Sequence, residues 1–266
     1  MRLNVCVLTL AALVSACSSS PDYSRRESTR KSSVVDEIDT RSDGSEAAKI
    51  NIQLGQAYLS QGKLDMAMDK LKKAIELAPR NPDGHTVIAV LYEQLGNVDM
   101  AGKHYQEARK LAPESGLTAN NLGRFLCSRA QYDKADALFA AALMDPFYRT
   151  PQTALLNRGS CAMSAGKLDA AADSLRQALE RDPRMPDALY QSALLAMQRK
   201  DPLRARAFIE RYLGAAPASP QALAFAIEIE QALDNDRAVA RYRERLVQEF
   251  PESAEADALN RTMGSR

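Results

Sequence analysis

Cysteine is the residue type whose placement in this chain could do chemistry. Cys17 follows Val14, Ser15 and Ala16 at the end of an apolar stretch, where a thiol can be acylated. Cys127 and Cys161 stand 34 residues apart, where two thiols could be oxidised to a disulfide. Cys6 lies within the apolar stretch itself. The two histidines, His85 and His104, have no cysteine or carboxylate cluster around them that would suggest a metal or catalytic site, and His85 is read as a packing residue. No nucleophile stands with a base in a recognisable arrangement, and there is no glycine-rich phosphate loop. Lys and Arg number 35 against 34 Asp and Glu, so no global field points to nucleic acid. The expectation is a chain that is not an enzyme and needs no cofactor, metal or small-molecule substrate.

A repeat must position the paired cysteines. Pro79, Pro113, Pro146, Pro183, Pro217 and Pro251 follow one another at intervals of 34, 33, 37, 34 and 34 residues. With the proline at position 32, one residue early in the third repeat, position 8 reads Gly55, Ala89, Gly123, Gly159, Ala193 and Ile227, and position 20 reads Ala67, Ala101, Ala135, Ala171, Ala205 and Val239. Position 27 begins Ala74, Ala108, Ala142 and Ala178. Small residues at such intervals mark helices that cross closely, with axes roughly 8 to 10 Å apart. Larger apolar residues fill the spaces beside them, as Leu54, Tyr58 and Leu71 do in the first repeat. Gly62-Lys63, Gly96-Asn97 and Gly166-Lys167 mark turns between paired helices, and each closing proline cannot continue a helix.

This pattern resembles the tetratricopeptide repeat over residues 48–253. The fold class it implies is all-α, a right-handed superhelical solenoid of six helical hairpins, at about residues 48–81, 82–115, 116–149, 152–185, 186–219 and 220–253. Repeats five and six drift: Tyr212 and Leu246 occupy position 27, and Ile227 and Glu230 stand where glycine and tyrosine are usual. Drift of that kind is expected of terminal units, and residues 253–263 are the candidate solvating cap. The extra length lies in residues 144–152, where two prolines and two aromatics suggest a stiff packed loop. It reads equally as a tolerated insertion or as a binding element.

At the N-terminus, Met1-Arg2 and the apolar residues 3–13 read as a signal peptide, too short for the roughly 30 Å of membrane hydrocarbon. Cys17, directly after two small residues, looks like a bacterial lipobox: residues 1–16 would be removed and the lipidated Cys17 would become the first residue. Several acyl chains give durable anchoring. Ser18 in place of aspartate implies export to the outer membrane. Residues 18–45 are poor in apolar side chains and read as a disordered tether with a root-mean-square reach of roughly 30 Å. Residues 46–266 hold the solenoid and cap.

Cys127 and Cys161 fall at positions 12 and 10 of the first helices of consecutive repeats, so their sulfurs could meet. In an oxidising compartment a disulfide is expected; the alternative is two buried free thiols. In this repeat class, first-helix positions 2, 5, 9, 12 and 13 line the concave face. The candidate partner groove is therefore Ile52, Gln56 and Leu59, Thr86, Val90 and Glu93, Asn120 and Arg124, Leu156 and Met163, then Tyr190, Leu194 and Met197. Ile52 and Gln56 stand where chaperone-binding members carry carboxylate-clamping residues, which disfavours that mode. A mixed, fairly apolar groove suits an extended strand or an amphipathic helix of a partner, unless neighbouring repeats already cover these side chains.

Asn121-Leu122-Gly123-Arg124-Phe125-Leu126-Cys127, then Tyr132, Ala135 and Phe139, Asp145-Pro146-Phe147-Tyr148 and Asn157-Arg158-Gly159-Ser160-Cys161-Ala162 resemble the PilF/PilW family of type IV pilus biogenesis lipoproteins. So does the order of lipobox, tether and six repeats. The resemblance implies a pilotin on the periplasmic face of the outer membrane. It would be anchored in lipid through Cys17, and it would bind a secretin subunit and promote ring localisation and assembly. Lipidated Cys17 and paired Cys127 and Cys161 carry over by residue; secretin contacts do not. The alternative is a scaffold lipoprotein for outer-membrane protein insertion or peptidoglycan synthesis.

Overall fold

The computed structural model describes residues 28–264. The expected signal peptide, Cys6 and the lipidation position Cys17 lie outside the described residues. The chain divides into Met1–Glu46 and Ala47–Arg266. Of the first unit, only the leading turns of helix α1 (Ser28–Ser60) are described. The second holds the remainder of α1 and every later helix. α1 thus begins inside the stretch expected to be a tether, a difference from the sequence reading. Once a helix is nucleated by a packed segment, adding residues ahead of it costs little.

The pairs that follow are α2 (Leu64–Leu77) with α1, α3 (Pro82–Gln94) with α4 (Val98–Leu111), α5 (Gly116–Ser128) with α6 (Tyr132–Met144), and α7 (Pro151–Ser164) with α8 (Leu168–Arg181). Then come α9 (Pro186–Gln198) with α10 (Pro202–Ala215), α11 (Pro220–Gln231) with α12 (Asp236–Glu249), and a single α13 (Ala254–Gly264). Among the described residues there is no strand. Each second helix packs on the first helix of the next pair, and α3, α5, α7 and α9 also touch in sequence. The result is the all-α solenoid the proline period predicts.

Helix starts explain the remaining prolines among the described residues. Pro82, Pro151, Pro186, Pro202 and Pro220 occupy the first helical position, where a missing N–H removes nothing from the helix. Side chains of Asn81, Asn97, Ser115, Asp201, Ser219 and Asn235 accept backbone N–H bonds from the first turn. The hairpin turns share one backbone shape. Gly62, Gly96 and Gly166 have φ of 70°, 71° and 72°, and Ala130, Lys200 and Asp234 take the same place with φ of 57°, 58° and 52°.

The crossing positions are buried as their size requires. Position-20 residues Ala67, Ala101, Ala135, Ala171 and Ala205 are fully buried, and Val239 nearly so. Four residues along each second helix, Leu71, Tyr105, Phe139, Leu175 and Ile209 are almost completely removed from water. Each such burial contributes about 1.5–3 kcal/mol. Position 8 is small because these side chains lie against it: a Cβ on Gly159 would sit 2.8 Å from Leu175 Cγ. α13 inserts Ala256 into the last core cluster and rests Leu259 on it, as a cap should.

Between α6 and α7 the longer connection is tied at its start. The Asp145 carboxylate accepts the backbone N–H of Gly116 at 2.7 Å and of Phe147 at 2.8 Å. These two bonds hold its pKa below the ordinary carboxylate value. Tyr148 packs against the cluster of Ala119, Ala142 and Ala154, whereas Phe147 is 88% exposed. The loop is therefore packed through one aromatic and open at the other.

Candidate functional site

The candidate groove residues fall on α1, α3, α5, α7 and α9, but they do not form one surface of uniform character. Ile52 belongs to the core cluster of the first two repeats, and Leu59 and Val90 pack against core clusters. Thr86 is buried, its hydroxyl donating to the Pro82 carbonyl at 2.8 Å. Asn120 is 4% exposed and accepts from Asn157 Nδ2 at 2.9 Å, a bond from α7 to α5. Gln56 is exposed to solvent. In the first three repeats, then, neighbouring repeats cover most of the apolar positions.

Glu93 and Arg124 are committed to each other. Arg124 Nη2 donates to Glu93 Oε2 at 2.5 Å and to the Tyr105 hydroxyl at 2.9 Å, and the Tyr105 O–H donates to Glu93 Oε2 at 2.5 Å. Burial and the bond to Glu93 push the Tyr105 hydroxyl far above its ordinary pKa. Burial is the largest influence on Arg124 and works against its charge, but the hydrogen bonds and charges of Glu93 and Tyr105 together outweigh it and the pKa is raised. This cluster ties repeat two to repeat three; the residues that form it are occupied by one another.

The open apolar surface lies further along. Leu156 and Tyr190 line a cavity of about 540 Å³ with Asn157 and Tyr212. Met163, Tyr190, Leu194 and Met197 line a second of about 680 Å³ that extends to Phe225 on α11. Met163, Tyr190, Leu194 and Met197 are all partly exposed. Tyr190 stands between the two cavities, with ring centroids 5.5 Å from both Tyr212 and Phe225. Burial, then Tyr212 and Glu228, raise its hydroxyl pKa. Such a surface has the apolar character to suit an apolar segment, with Tyr190 as a rigid amphipathic side chain at its centre.

Cys127 on α5 and Cys161 on α7 are joined in a disulfide with Cα atoms 5.8 Å apart. It clamps repeat three to repeat four beside the long connection. Lys167 donates to Asp133 at 2.8 Å and Arg158 to Asp136 at 2.6 Å between the same two repeats.

Two arrangements escape a sequence reading. Glu230, which departs from the repeat pattern, is only 2% exposed rather than a solvated terminal residue. Arg206 donates to it from Nε at 2.8 Å and Nη2 at 2.5 Å, and Asn235 Nδ2 donates at 2.8 Å. A paired charge of this kind has no signal in a single sequence beyond the odd glutamate itself. The histidines also meet: His85 Nε2 lies 3.0 Å from the Pro79 carbonyl, which can only accept, so that nitrogen carries the proton. His85 Nδ1 lies 2.9 Å from His104 Nδ1, within hydrogen-bond distance. Burial and the neighbouring His85 lower the His104 pKa, opposed by Glu107. Among the described residues no group of His, Cys, Asp and Glu could hold a metal ion.

Stacked helical hairpins with a partly exposed apolar surface along their first helices define a protein-binding scaffold. Tetratricopeptide-repeat family profiles match residues 55–96, 83–115, 117–143 and 156–220. The type IV pilus assembly protein PilF of Pseudomonas aeruginosa is 24% identical over 210 residues, 79% of this chain and 83% of that protein. An uncharacterised Haemophilus influenzae protein is 32% identical over 136 residues, 51% of this chain and 76% of its own length. The crystal structure of PilW, a type IV pilus biogenesis factor, is 28% identical and superposes with a TM-score of 0.74, covering 80% of this chain and 97% of PilW. The chain belongs to the PilF/PilW-like family of tetratricopeptide-repeat proteins of type IV pilus biogenesis.

Proposed function

We propose that this protein is a lipid-anchored pilotin of the outer membrane, which binds the secretin subunit of the type IV pilus and promotes its localisation and ring assembly. The observation that carries the reading is the partly exposed apolar surface around Tyr190, in a chain whose relatives PilF and PilW are named for type IV pilus biogenesis. An apolar strand or helix of the secretin fits the cavities on either side of Tyr190. Covering such a segment before the ring closes would keep it from associating elsewhere. Acyl chains on Cys17 would hold the scaffold at the periplasmic face, and lipoprotein sorting would carry the cargo with it.

The test is affinity capture from detergent-solubilised envelopes with the full lipidated chain as bait, comparing wild type with Tyr190→Ala/Leu194→Glu. Recovery of the secretin by wild type and its loss in the variant is the expected result. Equal recovery by both would remove the binding surface from the proposal. Recovery of outer-membrane insertion or peptidoglycan machinery in place of secretin would assign the scaffold to another envelope assembly. Cys17→Ser should retain secretin binding while rings fail to accumulate in the outer membrane; normal rings and twitching in that variant would refute the anchoring step.

A further inference from the structure

A cavity of about 430 Å³ opens on the opposite side of the hairpins, between the second helices α8 and α10, with α9 beneath it. Its floor is apolar: Leu175 and Leu179 come from α8 and Leu195 from α9. Phe208 of α10 forms part of the wall. None of the residues proposed to bind secretin lines it.

The charges around this cavity are unevenly committed. Arg176 is paired with Asp173 and Glu180, and Arg199 donates to Asp169 at 2.5 Å. The Asp201 carboxylate caps α10 by accepting the Arg204 backbone N–H at 3.1 Å. The acids that line the cavity, Glu180 and Asp201, are therefore already engaged. Arg204 and Arg211 remain. Their guanidinium carbons lie 6.0 and 5.7 Å from the Phe208 ring centroid, one turn before and one turn after it on α10. Neither has a carboxylate partner among the described residues; Arg211 Nη2 donates only to the Pro183 carbonyl, at 3.0 Å. Guanidinium groups held against an aromatic ring lose less freedom when they bind, and their remaining N–H groups match a carboxylate.

We propose that this cavity is a second docking site, for an acidic amphipathic segment of a protein partner. The segment would seat a leucine- or phenylalanine-sized side chain against Phe208 over Leu179 and Leu195 and place a neighbouring carboxylate between Arg204 and Arg211. The apolar floor selects the side chain and the two uncommitted arginines select the charge. Because this cavity shares no lining residue with the two cavities beside Tyr190, the scaffold can hold this segment and a first-helix ligand together. The inference is independent of the secretin assignment.

The probe is a fluorescein-labelled peptide in which pairs of glutamates alternate with pairs of leucines, titrated with the full chain and followed by fluorescence anisotropy. Saturable binding is expected. It should weaken roughly tenfold or more in Arg204→Glu/Arg211→Glu, since two charge-assisted contacts are lost. Arg204→Gln/Arg211→Gln should weaken it in the same direction, and both residues are exposed, so circular dichroism should report an unchanged fold. The same peptide with lysine for glutamate should not bind, and Tyr190→Ala/Leu194→Glu should bind as wild type. Absence of saturable binding, indifference to both arginine variants, or loss in the Tyr190 variant would each overturn the proposal. So would phosphatidylglycerol vesicles that bind through Arg204 and Arg211 when the peptide does not, because the site would then be for lipid.

Discussion

Replacing both bridged cysteines, Cys127→Ala/Cys161→Ala, isolates what joins the two halves of the solenoid. The bridge closes a loop of 34 residues that contains all of α6 and the long connection. The chain-entropy relation assigns such a loop about 12.6 cal/mol/K of lost freedom in the unfolded chain, or about 3.8 kcal/mol at 298 K. Cys127 is only half-buried, but Cys161 is buried beside Ala135 and Phe139, so its replacement adds a small packing loss to the entropic one. With a urea m-value of roughly 2–3 kcal/mol/M, the midpoint should fall by about 1–2 M. The assay is urea unfolding followed by circular dichroism, with wild type measured with and without reductant. Reduced wild type should lose the loop-closure contribution alone and lie close to, and slightly above, the double variant. In a stack where each repeat touches only its neighbours, the transition should also broaden as repeats three and four uncouple. A double variant as stable as oxidised wild type, or a wild type indifferent to reductant, would refute the reasoning.

Lys200→Gly and Ala130→Gly should each stabilise the protein by up to about 1 kcal/mol in thermal or urea unfolding, because glycine relieves a left-handed backbone that costs other residues about 1–2 kcal/mol, less its greater unfolded entropy. Arg206→Ala should cost about 1–3 kcal/mol by removing two of the three donors to the buried Glu230, while Arg206→Ala/Glu230→Gln should recover a measurable part; equal losses in both variants would show that the charge is not what matters. His104 has a lowered pKa in the folded chain, so unfolding takes up protons and the stability it contributes is present above the ordinary histidine value near 6.5. That contribution is lost as pH falls through the folded pKa, and the slope of unfolding free energy just below about pH 6.5 should flatten in His104→Gln.

The proline period and the alternation of small and large residues were enough to place six hairpins, because the repeat reuses one packing solution whose residue sizes recur at fixed spacing. Gly62, Gly96 and Gly166 announced three turns. The other three take the same backbone shape with Ala130, Lys200 and Asp234, and there surrounding structure overrides local preference. Repeat position also placed Cys127 and Cys161 on adjacent first helices. Repeat position did not tell which groove residues are open. Ile52, Thr86 and Asn120 share the nominal inward positions with Leu194 and Met197, yet the former are buried and the latter line a cavity.

The sequence by itself determined the repeated helical architecture, the family and the candidate cysteine chemistry, since these rest on residue types at short or periodic separations. Tertiary structure alone decided that Glu93 and Arg124 are consumed by each other and Tyr105, that Glu230 is paired with Arg206, and that Arg204 and Arg211 are left without a carboxylate partner among the described residues. The reason is physical. A charged side chain's availability depends on which neighbours come within about 3 Å of it, and those neighbours sit on other helices at separations that no local pattern encodes.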